Sequence, residues 1–245
     1  PDNGPDDRYV CLSDVLPTAW QAVEYAGVKP GDSLVVLGLG PIGEMACRMA
    51  RHRGIENVIG IDLVEGRLER ARKLGITAPD LEGEEDLAAH VQELTEGRGP
   101  NAVIEAVGME AHGAPLGKMA HQMVGMLPDA VAEKLMDNAG VDRLAALNMG
   151  IDLVRRGGTL SISGVYGGMA DPLPMLTMFD KQLTLRMGQA NVRRWTDDLL
   201  PLVVEEDVLG VEDFATHHVP LDEAPDAYEH FQKDKDDWFK VVFRP

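Results

Sequence analysis

A short apolar run near the start of the chain leads directly into a glycine-rich turn. Residues 34–37 are all aliphatic, and they are followed by Gly38, Leu39, Gly40, Pro41, Ile42 and Gly43. In a G-x-G-x-x-G turn, the first glycine permits the tight turn, the second lets the backbone approach a diphosphate, and the third lets the next helix pack closely. The free N–H groups at the start of that helix also attract an anion. The pattern therefore predicts a strand–turn–helix unit that binds a dinucleotide through these six residues.

The residues after the turn supply the helix and the second strand that such a unit needs. Residues 44–51 have apolar side chains at helical spacing, and residues 58–61 form an apolar strand that ends at Asp62. A carboxylate at this position can accept hydrogen bonds from the adenosine ribose and would repel a 2′-phosphate, so the pattern favours NAD over NADP. Two alternatives stay open. Asp62 could instead cap the turn into a helix at residues 65–73, and Arg67 could either cover the adenine or be solvated.

Strand and helix patterns continue to alternate after Asp62, which is typical of an α/β fold with helices on both faces of a parallel sheet. Further strands are predicted at residues 76–78, 102–108, 159–166 and 183–187, with helices at 86–94 and 144–156. We therefore expect a doubly wound, Rossmann-type parallel sheet of six strands. Ligands of such sheets bind at the carboxyl ends of the strands.

Two of these strands end in segments that contain glycine. The segments are Ala106, Val107 and Gly108 after one strand, and Gly164, Val165 and Tyr166 after the other. Both leave the sheet at its carboxyl edge, so we predict that they line the nicotinamide half of the cofactor cleft. The alternative is that they are ordinary loops.

The overall charge excludes several classes of partner. The formal net charge is −18 at pH 7, whereas binding to nucleic acid or to an anionic membrane surface needs clustered Lys and Arg. No apolar run approaches the roughly twenty residues that a bilayer span requires. The two cysteines, Cys11 and Cys47, are too few for a disulfide framework. We therefore expect a cytoplasmic protein that binds neither nucleic acid nor membrane.

Two regions depart from the simple alternation. The segment 109–150 is long for a crossover, and the helical spacing of Met119, Met123 and Met126 indicates a core or subunit contact rather than a cofactor site. From residue 189 onward, helices are predicted at 195–205 and 221–232 and strands at 214–219 and 239–243. This small α+β segment cannot form a domain alone, so we expect it to belong to an incomplete second domain.

The sequence resembles the zinc-dependent medium-chain alcohol dehydrogenase family from about residue 10 to its end. The motifs that carry the resemblance, in family order, are residues 12–20, 28–32, the turn 38–43, Asp62, 102–108, 157–168 and 216–231. Residues 12–14, 17–18 and 185–189, together with the long 109–150 insert, are most similar to the formaldehyde-dehydrogenase-like branch. The resemblance implies a remnant of a GroES-like catalytic domain at 1–16, a dinucleotide-binding domain at 17–188 and a return to the catalytic domain at 189–245.

The resemblance also implies roles for individual residues. Asp14 matches a zinc ligand, Thr18 a position beside the nicotinamide and Lys240 a basic position near the pyrophosphate. The family's other zinc ligands have no counterpart in this chain, and a catalytic zinc takes about three from the protein. The resemblance therefore implies the cofactor half of an enzyme that transfers hydride between a small alcohol or aldehyde and NAD, inactive alone. A non-catalytic NAD(H)-binding module or sensor is the alternative.

Several residues in these motifs have simpler interpretations. Asp14 could be the N-cap of a helix that starts near Pro17, and Cys11 is expected to pack in the core rather than to bind metal. His217 and His218 are adjacent on a predicted strand, so their side chains should point to opposite faces. The family often pairs subunits edge to edge, and the predicted strand at 183–187 is the expected site of a homo-oligomer contact.

Overall fold

The computed structural model describes residues 6–79, 86–108, 141–167, 170, 172–204, 207–234 and 237–245. Most of the 109–150 segment, including the stripe of Met119, Met123 and Met126, lies outside the described residues. The helices are α1 (Asp6–Val10), α2 (Val15–Ala26), α3 (Pro41–His52), α4 (Glu65–Lys73), α5 (Leu87–Leu94), α6 (Val141–Leu153), α7 (Met175–Lys181), α8 (Val192–Val204) and α9 (Ala224–Lys233), with 3₁₀ turns at Cys11–Ser13 and Leu221–Glu223. The strands are β1 (Ser33–Leu37), β2 (Asn57–Ile61), β3 (Ala102–Glu105), β4 (Thr159–Ile162), β5 (Thr184–Met187), β6 (His217–Pro220) and β7 (Val241–Arg244).

Five parallel strands form the main sheet in the order β2-β1-β3-β4-β5. Strand β1 is buried along its whole length because helices cover both faces. Its residues Leu34 and Val36 belong to a core shared with α2, α3 and α4. Val35 and Leu37 belong to a second core shared with α5 and α6. The doubly wound α/β sheet predicted from the sequence is therefore confirmed.

The prediction of a strand at residues 76–78, which gave the expected sheet its six strands, is wrong. Within the described residues, this segment makes a single parallel bridge, between Thr77 and Ile59, and no further ladder. Gly75 turns the chain out of α4 with a φ of +74°, and Pro79 lacks the N–H that the next ladder bond would need. The predicted strands at 102–108 and 159–166 are also shorter, since β3 ends at Glu105 and β4 at Ile162.

The C-terminal segment packs on the same core as the sheet. Trp195, Leu199 and Phe214 are buried in the cluster that contains residues of α2 and α3. The buried side chain of Gln21 in α2 joins the two parts, because its amide donates to the carbonyls of residues 188 and 189 and its oxygen accepts from Asn191 N and Trp195 Nε1. Strands β6 and β7 form a separate parallel pair joined through α9. In the described ranges, no helix is long and apolar enough to cross a membrane.

Candidate functional site

The carboxyl edge of the main sheet brings most of the predicted site residues into one row. The strand order β2-β1-β3-β4 places Asp62 first, then the turn at 38–43, then residues 106–108, and finally residues 163–166. Each of these segments directly follows its strand. The carboxyl edge therefore carries these four segments side by side, from the Asp62 carboxylate at one end to residues 163–166 at the other.

The turn is tight enough to require two of its glycines. Gly38 has a φ of +85°, and a Cβ there would lie 2.8 Å from Val107 Cγ2. A Cβ on Gly43 would lie only 1.7 Å from the carbonyl oxygen of Gly38, which shows how closely α3 approaches the end of β1. Gly40 has open space instead, because the nearest atom to a Cβ there would be Arg67 Nη1 at 3.7 Å. The second glycine is thus the one that leaves the turn open to a ligand.

The other residues of the turn have structural roles. Pro41 is the first residue of α3, where a missing N–H costs nothing, and Gly40 is the N-cap. Leu39 is fully buried in the core beneath the turn, and Ile42 packs partly against it. The amide of Leu39 points to Asp62 rather than to solvent, with a hydrogen bond of 2.6 Å.

Asp62 is buried and its carboxylate is well satisfied. Oδ1 accepts from Leu63 N at 2.7 Å and Val64 N at 2.9 Å, and Oδ2 accepts from Leu39 N at 2.6 Å. Arg67 Nη1 contacts Oδ2 at 3.3 Å, the longest of these contacts. Asp62 therefore organises the turn before α4, whose N-cap is Val64 without a side-chain capping bond. Arg67 is paired with Asp62 rather than solvated.

A buried carboxylate that we did not predict as a site residue lies in the middle of the edge. Glu105 is the last residue of β3 and is fully buried. Its Oε1 accepts hydrogen bonds from Val107 N and Gly108 N, both at 2.7 Å. Burial raises the pKa of this carboxyl, although the two N–H donors oppose the rise. The signal in the sequence is a charged residue within an otherwise apolar buried strand.

The segment after β4 closes against this carboxylate. A Cβ on Gly164 would lie 2.3 Å from Glu105 Oε2 and also 2.3 Å from Gly108 N. Val165 is 70% exposed at the edge, whereas the hydroxyl of Tyr166 is buried. Burial and the nearby Glu105 carboxylate raise the pKa of Tyr166. Both segments thus lie at the carboxyl edge and contact each other through Gly108 and Gly164, whereas the Tyr166 hydroxyl is buried. That they line a nicotinamide site stays a prediction.

Asp14 and Thr18 are paired with each other. The Thr18 hydroxyl donates to Asp14 Oδ1 at 2.8 Å, across the first turn of α2. Asp14 is the N-cap residue of α2, but its side chain accepts no capping bond from the backbone. The carboxylate is exposed and is therefore accessible to a further ligand. Lys240 precedes β7, and its backbone is bonded to Thr216.

The remaining candidates for metal binding are engaged elsewhere. Cys11 is buried in the core, and this burial raises the pKa of its thiol. His217 is stacked on Trp238 with ring centroids 4.0 Å apart, while His218 Nε2 contacts Asp7 Oδ2 at 2.5 Å. Over the residues that the structure describes, no three His, Cys, Asp or Glu side chains are grouped so as to hold a metal ion. Asp14 alone does not fit a zinc site, which needs about four ligands.

Comparison with known proteins finds similarity to dehydrogenases. A family model described as a zinc-binding dehydrogenase matches residues 41–127. The zinc-type alcohol dehydrogenase-like protein AdhB of Bacillus subtilis (strain 168) is 33% identical over 242 residues, which are 98% of this chain and 60% of that protein. Formaldehyde dismutase of Pseudomonas putida is 29% identical over 237 residues, which are 91% of this chain and 54% of that protein.

The fold is shared with solved dehydrogenases. The structure of alcohol dehydrogenase TADH from Thermus sp. ATN1 superimposes with a TM-score of 0.79 at 32% identity, covering 100% of this chain and 60% of that one. The chain thus spans between 54% and 60% of the length of these relatives. The glycine turn, Asp62, the five-stranded sheet and these matches together make the chain similar to the zinc-type alcohol dehydrogenases.

Proposed function

We propose that this chain is the NAD(H)-binding part of a zinc-type dehydrogenase that transfers hydride between a small alcohol or aldehyde and NAD. The observation that carries the proposal is the order of groups along the carboxyl edge. A carboxylate for a ribose, an open glycine for a diphosphate and two backbone loops for a nicotinamide follow one another in the order of the parts of a dinucleotide. NAD, when bound, supplies the hydride acceptor.

The open position at Gly40 is where the diphosphate would approach. The N-cap geometry of Gly40 and the start of α3 at Pro41 leave the first N–H groups of the helix without partners inside the helix. Such groups and the helix dipole favour an anion. Thr18 and Lys240 would act from outside the sheet, beside the nicotinamide and near the diphosphate, respectively. These two placements rest on the family resemblance.

Asp62 would hold the adenosine ribose. Its Arg67 contact, at 3.3 Å, is the weakest of its four, so a ribose hydroxyl could take that place on Oδ2 while the three backbone N–H bonds remain. A 2′-phosphate would instead meet a buried negative charge. This arrangement supports NAD rather than NADP.

The cofactor preference provides the first test. We expect the chain to bind NADH at least roughly tenfold more tightly than NADPH, because like charges in contact cost several kcal/mol. Replacing Asp62 by serine, whose hydroxyl can still accept from the following amides, should reduce the ratio to about threefold or less. Fluorescence titration of both nucleotides measures the ratio.

Asp32→Ser is the matched control. Asp32 also accepts a backbone N–H, from Lys29 at 2.9 Å, but it lies before β1 at the opposite end of the strand. This variant should keep the wild-type ratio. If the folded wild-type chain bound neither nucleotide, the proposed function would be wrong.

The family's other zinc ligands have no counterpart in this sequence, so this chain would supply only part of the substrate side. We propose that Asp14, with its exposed carboxylate, contributes one ligand to the family's zinc site and that the chain alone does not turn over substrate. The formaldehyde dismutase relative supports a small aldehyde or alcohol as the substrate class.

We further propose that the sheet edge at β5 joins two copies of the chain. Strand β5 is mostly exposed and, within the described residues, pairs only with β4. The neighbouring helix α7 carries Leu176 and Phe179, which are 81% and 83% exposed. Exposed apolar side chains beside an open strand edge are typical of an interface between identical subunits.

Charges on α7 should therefore dissociate the oligomer. We expect the double variant with Leu176→Glu and Phe179→Glu to be a folded monomer at micromolar concentration, where the wild type is at least a dimer. Tyr228→Glu, at a 65% exposed side chain on α9, is the control and should keep the wild-type mass. Light scattering coupled to size-exclusion chromatography measures the molecular mass of the wild type and of both variants. A monomeric wild type would contradict the proposal.

A further inference from the structure

Glu105 bonds to both loops at the distal half of the edge. Its backbone oxygen accepts from Ser163 N at 2.8 Å and Gly164 N at 3.0 Å. Its side-chain Oε1 accepts from Val107 N and Gly108 N. The side chain of Glu105 therefore holds residues 107–108, which follow its own strand, β3. Its main chain holds residues 163–164, which follow the next strand of the sheet, β4.

The two loops touch each other through glycines that leave room for this carboxylate. A Cβ on Gly108 would lie 2.6 Å from Val165 N, and a Cβ on Gly164 would collide with both Gly108 N and Glu105 Oε2. No side chain larger than hydrogen can be accommodated at either position without separating the loops. The carboxyl group, Gly108 and Gly164 thus form a three-part contact that sets the spacing of the loops.

Burying the Glu105 carboxylate costs more free energy than a purely structural role would require. It is fully buried, and among the described residues no cation pairs with it. Its Oε2 and the neighbouring Tyr166 hydroxyl each lack a well-formed hydrogen bond in the described part of the chain. Burial without a cation destabilises a charged group. Such costs are tolerated where the position of the group serves a ligand site.

We propose that Glu105 is a positioning residue that holds residues 106–108 and 163–166 at the spacing needed to bind the nicotinamide end of the dinucleotide. The inference rests on the proposed function, because it assigns a part of that same cleft. The diphosphate turn follows β1 and Asp62 follows β2, and none of the hydrogen bonds of Asp62 involves Glu105. The effect should therefore fall on the nicotinamide and not on the adenosine.

Two substitutions separate the geometry of the side chain from its charge. Glu105→Gln keeps the length of the side chain and an oxygen that can accept from Val107 N and Gly108 N. Glu105→Asp keeps the carboxyl group but is one methylene shorter, so it withdraws from both N–H donors. Ser161→Ala is the control for general destabilisation, because Ser161 is buried on β4 and donates to Ala22 O at 2.8 Å, away from the edge.

The readout is the ratio of two dissociation constants, for NADH and for ADP-ribose, which lacks the nicotinamide. We expect Glu105→Asp to weaken NADH about tenfold and ADP-ribose less than about twofold, since leaving two buried donors unsatisfied displaces the loops. Glu105→Gln should restore NADH binding to within about threefold of wild type. Ser161→Ala should leave the ratio unchanged even where it lowers the melting temperature.

Other outcomes overturn the inference. An unchanged NADH to ADP-ribose ratio in folded Glu105→Asp would show that the loops need no such support. Equal weakening of both ligands would show that Glu105 acts only on overall stability. A Glu105→Gln variant as weak as Glu105→Asp would show that a side chain of the right length with one accepting oxygen does not hold the loops. If the wild type bound neither NADH nor ADP-ribose, the proposed function would be wrong, and this inference would be wrong with it. If the wild type bound both ligands, the Glu105 variants would test the role of Glu105 alone.

Discussion

Replacing Gly43 by alanine is expected to lower the free energy of unfolding by at least about 3 kcal/mol and to abolish NADH binding. The added Cβ would lie 1.7 Å from the carbonyl oxygen of Gly38 and 2.8 Å from its carbonyl carbon. Both atoms belong to the backbone that directly follows β1, a strand whose residues are all buried. The clash can be relieved only by moving α3 away from the sheet, which opens the core and the turn together.

Gly40→Ala is the matched comparison within the same turn. Gly40 has ordinary backbone angles, with a φ of −64°, and space for a methyl group. The free energy of unfolding of the Gly40→Ala variant should change by less than about 1 kcal/mol. NADH should bind more weakly, because the methyl group would occupy the space through which the diphosphate approaches. Urea denaturation and NADH fluorescence measure the two effects. A Gly43→Ala variant with the wild-type denaturation midpoint would contradict the turn geometry described above.

The parts of the site that could be predicted from the sequence are those set by local spacing. The turn 38–43 and Asp62 are recognisable because each follows an apolar run that β1 or β2 must bury. Both ends of the proposed dinucleotide cleft follow from the rule that parallel strands share one carboxyl edge. The alternation of strands and helices likewise fixes which loops reach that edge. Their placement required no knowledge of contacts between distant residues.

The wrong strand prediction and the site contacts that were missed concern contacts that the spacing of residues along the sequence does not determine. The predicted strand at 76–78 does not form because the segment lies between the turn at Gly75 and Pro79, which permit only one bridge, from Thr77 to Ile59. Glu105 was overlooked because its partners are backbone groups of two loops, 107–108 and 163–164. The Arg67 contact with Asp62 depends on where α4 begins relative to the turn. Each of these is decided by three-dimensional packing.

The main sheet and the C-terminal segment are also linked through another buried carboxylate, Glu44 in α3. Glu44 is 1% exposed, and its oxygens accept from Arg48 Nη2 at 2.6 Å and from Arg70 Nε at 2.9 Å. Arg48 also donates to the carbonyls of Leu209 and Gly210 at 2.9 and 2.7 Å. The Arg70 guanidinium lies 4.2 Å from the ring centroid of Phe239. One carboxylate therefore orients two arginines that both contact the C-terminal segment.

Glu44→Ala is accordingly expected to lower the free energy of unfolding by about 3–5 kcal/mol, because it leaves two partly buried guanidinium groups without their carboxylate. Glu44→Gln should cost less, since its oxygen can still accept one of the arginine N–H groups. Glu229→Ala removes the partner of Lys233 in an exposed pair on α9 and should leave the urea midpoint unchanged. Hydrogen exchange should also accelerate around residues 209–214 in Glu44→Ala, because Arg48 loses the orientation that holds it against those carbonyls. If Glu44→Ala were as stable as Glu229→Ala, with unaltered exchange at 209–214, the C-terminal segment would be held by apolar packing alone.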